Sequence, residues 1–196
     1  TAPPRSCKLF DLAFNDQSFA PGEYISEQWM EKGLRITGQE VNGSGGHMVR
    51  LFDTSKPFNA TGYGTSNLGG DYGNVLIIQH SKGTPQWKAN EAGGMITFAF
   101  DTPVDEVLEL GLLNVVADVV VNATDANGST HTFVVAAAGA KSLKSLTIDH
   151  VRDIVRVQVL LSGPTGITHL GLCGGSLVPV PAVVTNVLQC GTDIVE

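Results

Sequence analysis

Apolar and polar residues alternate in short runs along this chain, and Gly, Asn, Asp and Pro interrupt the runs at regular intervals. A period of two marks a strand with one buried face. In "MITFAF", Met95, Thr97 and Ala99 fall on one face and Ile96, Phe98 and Phe100 on the other. In "VRVQVLL", Val155, Val157 and Val159 oppose Arg156 and Gln158. Runs of this kind, rich in β-branched and aromatic residues, predict eleven strands, at 8–14, 33–39, 47–53, 74–80, 94–100, 105–113, 117–124, 130–137, 145–150, 154–162 and 167–173. Only "SEQWMEKG", 26–33, reads as a helical turn, ended by Gly33. Many short strands and no long helical period predict an all-β fold, an antiparallel two-sheet sandwich of jelly-roll-like form with an extended C-terminal strand.

One segment reads three ways. "VVVNATDANGSTHTFVV", 119–135, holds two apolar runs apart with a polar insert. Asp125, Asn127 and Gly128 resemble the opening of a calcium loop, but an EF-hand needs a Glu at its twelfth position, where the chain has Ala136. Asn122 and Asn127 each begin an Asn-x-Ser/Thr acceptor triplet. Asn127-Gly128 also suits the positive backbone dihedrals of a type I′ turn, which makes a hairpin the primary expectation.

Charge and length narrow the function classes. A chain of 196 residues is long enough for one domain with a substantial core. The expected division is a sandwich over 1–175 and an uncharged extension over 176–196. No Asp, Glu, Lys or Arg occurs from Val157 to Thr192, and "SLVPVPAVVTNVLQC" resembles a strand that adds to a neighbour's sheet edge. An edge strand of the same molecule is the alternative, since Pro179 and Pro181 are tolerated only at an edge. The net charge of −7 offers no basic footprint for nucleic acid. No stretch approaches the roughly 18 apolar residues of a membrane helix. The start "TAPPRSC" reads as the beginning of a mature, exported chain.

Four acceptor triplets, at Asn42, Asn59, Asn122 and Asn127, agree with a secreted glycoprotein, and all four are expected in loops. Cys7, Cys173 and Cys190 form no CxxC pair, which argues against zinc and for a disulfide tying Cys7 to Cys173 or Cys190. The third cysteine is then left for pairing between molecules.

Catalytic motifs are missing: the chain has no G-x-S-x-G, no HExxH and no Walker loop. Its five histidines are scattered singly. Glu106 and Glu109, three apart in a strand, are expected on opposite faces, which is wrong for a glycosidase pair. Calcium fits better: Asp53, Asp71, Asn74, Asn90 and Glu91 supply hard oxygen ligands at strand ends. For sugar binding, Tyr63, Tyr72 and Trp87 lie in Gly-rich segments suited to stacking on pyranose faces, and Trp29 is expected to anchor the core.

Taken in order, "FDLAF", "GEYISEQWMEKGLRITG", "LFDTS", "GNVLII", "GGMITFAFDTPV", "VVVNATDANGST" and "GITHLGLC" resemble a family of exported β-sandwich domains. These occur in surface proteins, including those with PEP-CTERM-type sorting tails, and are similar in style to jelly-roll carbohydrate-binding modules. The resemblance implies a secreted, non-catalytic, calcium-stabilised domain. Such domains commonly carry an Asp where this chain has His169 in "GITHL", which weakens a calcium site at that end.

Three functions follow as expectations. The first is a structural or adhesive glycoprotein of a cell surface or matrix that self-associates through its C-terminal strand. The second is a calcium-stabilised carbohydrate-binding module with a polysaccharide partner, and the third a polysaccharide-active enzyme.

Overall fold

The computed structural model describes residues 9–15, 19–41, 48–57, 65–79 and 88–174. Among these the chain forms eleven strands. They are β1 (Leu9–Ala13), β2 (Leu34–Glu40), β3 (Val49–Asp53), β4 (Asn74–Ile78), β5 (Gly94–Val104) and β6 (Glu106–Leu113), followed by β7 (Val119–Asp125), β8 (Thr130–Val135), β9 (Leu143–Leu146), β10 (Ile154–Leu161) and β11 (Gly166–Cys173). Every predicted strand is present. The ninth sits earlier than expected, and β5 runs on to Val104. The expected helical turn is a 3-10 turn at Met30–Lys32, closed by Gly33 in the left-handed region at φ 75°.

All the pairings are antiparallel, and the strands form two sheets. One runs β3-β4-β11-β6-β9, with β1 also paired to β11; the other runs β2-β5-β10-β7-β8. Strands β1 and β4 share one edge of β11: β1 pairs from Leu170 to Cys173 and at His169, and β4 meets it at Ile167. The predicted two-sheet sandwich is therefore the observed fold.

Alternation builds the core. Ile96, Phe98 and Phe100 of β5, Val119, Val121 and Ala123 of β7, and Val157 and Val159 of β10 point inward from one sheet. Leu76 and Ile78, Leu110 and Leu112, and Leu170 and Leu172 meet them from the other. Trp29 anchors the core as expected, with Phe14 at 6.2 Å and Phe19 at 4.9 Å from its ring. Strand β4 is apolar on both faces because Val75 and Ile77 enter a second cluster with Phe52, Leu68, Ala89 and Leu113. That explains why "VLII" reads as a continuous apolar run.

At one edge of the sandwich the two sheets close to backbone distance. A Cβ on Gly38 would overlap Val49 and lie 2.8 Å from Ile78 Cδ1, so only glycine fits this position.

Candidate outer-face binding platform

The sheet β2-β5-β10-β7-β8 buries its inner face, and among the described residues no element covers its outer face. Register brings the outward residues into rows that cross all five strands. Thr37 pairs with Thr97, Thr97 with Gln158, Gln158 with Asn122, and Asn122 with Thr132. With strands roughly 4.8 Å apart, this row of hydroxyls and amides is about 19 Å long.

Two further rows flank it. On one side Gln39, Met95, Leu160, Val120 and Val134 make a mostly apolar row. On the other, Arg35, Ala99, Arg156, Thr124 and Thr130 make a row with two cations. The bulge between Ile154 and Arg156 resets the alternation of β10, so that Arg156, Gln158 and Leu160 all face out. Side chains within the face hold one another: the Thr132 hydroxyl donates to Asn122 Oδ1 at 2.8 Å, and Gln158 Nε2 lies 3.4 Å from Met95 Sδ.

The apolar row ends in a cleft of about 350 Å³. Gln39, Glu40 and Val41 leave β2 along one wall, Ala92, Gly94 and Met95 enter β5 along the floor, and Leu160, Leu161 and Ser162 leave β10 opposite. Platform and cleft form one continuous surface, because Gln39, Met95 and Leu160 belong to both. The platform carries no aromatic ring among the described residues. Its apolar contacts are aliphatic.

Pattern reading of the sequence missed Thr37, Thr97, Gln158, Thr132, Arg35 and Arg156 as site residues. The signal was there in part, since alternation already turned Thr97, Arg156 and Gln158 outward; the pairing that aligns them was not.

The ligand residues expected for calcium do not converge on one site. Asp53 and Asn74 face each other at one end of the β3/β4 pair, with Asp71 in the adjoining turn. Asn90, whose N–H donates to the Ile78 carbonyl, and Glu91 lie at the other end of β4. Oδ1 of Asp53 accepts from the Ser55 N–H and hydroxyl, and Oδ1 of Asn90 from the Ala92 N–H. Glu91 is 3.5 Å from Lys88 Nζ. Among the described residues no three His, Cys, Asp or Glu side chains gather as metal ligands.

The other expected positions scatter. Tyr72 is partly exposed in the turn before β4, where its N–H donates to Thr54 Oγ1, and is not on the platform. Tyr63, Trp87, Asn42, Asn59, Cys7, Cys190 and the extension 176–196 lie outside the described residues. Cys173 is buried and disulfide-bonded. Asn122 is not in a loop: it sits within β7, on the platform, and its triplet partner Thr124 is buried. Asn127 is exposed at the hairpin tip.

That hairpin differs from the expected type I′ turn. Asn127 does not adopt positive φ, whereas Gly128 does, at 85°. The Gly128 N–H donates to the Asp125 carbonyl and the Asp125 N–H to the Ser129 carbonyl, at 3.0 Å each. This is a type I turn followed by a left-handed glycine, the three-residue hairpin with a bulge. Asp125 fills the turn rather than an ion site, because its Oδ1 accepts the N–H groups of Asn127 and Ser129 at 2.9 Å.

Glu106 and Glu109 also differ from expectation. A bulge opposite Gly171 and Leu172 lets Val107 and Leu110 both enter the core, which leaves both glutamates outside it. They do not act as a pair. Glu106 binds Arg152 at 2.6 Å, and Glu109 lies 3.5 Å from His169 on the outer side of the other sheet.

No family model matches the chain, and neither does any curated protein. Similar solved structures are carbohydrate-binding modules. A mutant of CBM29-2 complexed with cellulohexaose is 8% identical, with a TM-score of 0.45, and the match covers 88% of this chain and 94% of that one. A second CBM29-2 mutant, complexed with mannohexaose, is 11% identical, with a TM-score of 0.45, over 87% and 94%. The family 32 module of C. perfringens NanJ in complex with galactose is 9% identical, with a TM-score of 0.42, over 84% and 100%.

Proposed function

We infer that this domain binds a polysaccharide without cleaving it, the glycan lying across the outer face of β2-β5-β10-β7-β8. The observation that supports the reading is the in-register polar row from Thr37 to Thr132 beside the apolar row through Met95 and Leu160. A sugar ring offers hydroxyls at its edge and C–H groups on its face. Adjacent amide and aliphatic rows complement both at once. The face needs little reorganisation to bind, because its residues stand on paired strands rather than loops.

The measurement is binding of the full chain to immobilised glycans, for the wild type and for Gln158→Ala at the centre of the row. Loss of one hydrogen-bonding side chain is expected to weaken binding roughly fivefold. A wild-type chain that retains no glycan overturns the reading.

Secretion, an N-glycan and calcium belong to the same reading. Among the described residues Asn127 is the exposed acceptor at a loop tip, and Asp53, Asp71 and Asn74 are the residues near one another that would supply oxygen ligands. A mass unchanged by glycosidase treatment of secreted protein removes the glycan, and a melting temperature unmoved by chelation removes the calcium.

A structural or adhesive role is the second reading, favoured by β8. Among the described residues it is an edge strand, it has no Lys, Glu, Asp or Pro, and it exposes Val134, which suits its backbone to accept another strand.

A further inference from the structure

Arg35 and Arg156 are both register partners of Ala99, one from each side. Their Cα atoms therefore stand about 10 Å apart across a single strand. Between them is only a methyl group, so neither guanidinium is screened by a bulky neighbour. Both residues are exposed.

Neither arginine has a carboxylate within ion-pair distance among the described residues. Arg156 reaches only the Thr124 hydroxyl, at 3.4 Å from its Nη2. Arg152 differs, being bound to Glu106 at 2.6 Å. The acidic residues at the margins of the same face are Asp101, two residues beyond Ala99 and exposed, with its N–H bound to the Gly33 carbonyl, and Asp118, two residues before Val120, whose Oδ1 accepts the Ala137 N–H. Asp101 forms no ion pair with Arg35. Two guanidiniums without an ion-pair partner among the described residues are a local feature of a chain whose net charge is −7. Locality decides which charge matters, since at physiological ionic strength charges beyond about 8 Å are largely screened.

We propose that the platform selects an acidic polysaccharide, with its carboxylate or sulfate groups on Arg35 and Arg156 and its hydroxyls on the row from Thr37 to Thr132. The guanidinium fork matches the two oxygens of such groups, a match that an ammonium does not reproduce. This rests on the glycan-binding reading and names the ligand class for it.

The test is affinity electrophoresis of the full chain in gels containing polygalacturonate, dextran sulfate, galactomannan or soluble β-glucan. Binding to one or both acidic polymers is expected, weaker in added salt. Arg35→Gln and Arg156→Gln should each weaken it about tenfold, and Arg156→Lys should recover only part of the loss. Lys144→Gln, on the opposite sheet, should leave it unchanged and so exclude diffuse charge attraction. Polygalacturonate against dextran sulfate separates carboxylate from sulfate as the group recognised. Retention by the neutral polymers alone, or acidic binding indifferent to both arginine substitutions, overturns the proposal. In that case a response to Gln158→Ala shows that the glycan platform itself survives, whereas no retention by any polymer removes both.

Discussion

Asp125 is the residue whose electrostatics are most informative. Partial burial raises its pKa, but the N–H donations from Ser129 and Asn127 and the neighbouring His131, 3.5 Å away, outweigh that. The carboxyl is held below its ordinary value of 3.8. A depressed folded-state pKa means a contribution that is complete above the unfolded value and lost as pH falls through the folded one. Asp125→Ala should therefore lower the melting temperature at pH 7, and the gap to wild type should shrink as pH is taken down through 3.8. A gap that stays constant from pH 7 to pH 3 contradicts the assignment of Asp125 as the hairpin's anionic acceptor. At the same scale, Asn122 has two possible uses that exclude each other. Its side chain completes the polar row, and a glycan on it would cover that row.

Gly38 belongs to the scale of elements, because it sets how closely β2 can approach β3 and β4. Gly38→Ala places a methyl group against Val49 and Ile78, where there is no room. The expected cost is about 1–3 kcal/mol, read as a lower denaturant midpoint with an unchanged slope; wild-type stability in this variant contradicts the close packing. Elements were also the most legible part of the sequence. A period of two in runs such as "MITFAF" located all eleven strands and told inside from outside. Bulges defeated that reading where a residue was added, as at Val107 to Leu110, because the face flips without any change in composition. The platform was illegible for a different reason. Thr37, Thr97, Asn122, Thr132 and Gln158 are ordinary outward strand residues one at a time, and only the non-sequential order β2-β5-β10-β7-β8 aligns them. Hairpin neighbours such as β7 and β8 can be inferred from a turn, but the placement of β10 between β5 and β7 is a long-range pairing that no local pattern encodes.

For the whole molecule the open question is association. Among the described residues five strands are paired on one side only, β1, β3 and β9 in one sheet and β2 and β8 in the other. β9 carries Lys144 and β3 carries Arg50 and Asp53, whereas β8 has no charge beyond its single histidine. If residues 176–196 join copies by strand addition, their deletion leaves a folded domain with a monomeric sedimentation coefficient. A full-length chain that is already monomeric at the highest soluble concentration contradicts assembly, and a truncated chain that still associates assigns it to another surface.

Among the described residues the polar row reaches the β8 edge without a cap, so the platform has no built-in end there. Antiparallel pairing of two copies through β8 would bring their Thr132 rows into one track of ten strands, about 43 Å across its nine gaps. A polymer held on one half would meet the other half as a tethered site, so that retention would rise with protein surface density while the intrinsic affinity of each copy stayed the same. Grip on a repetitive ligand would then be a property of packing density, set by how many copies stand side by side.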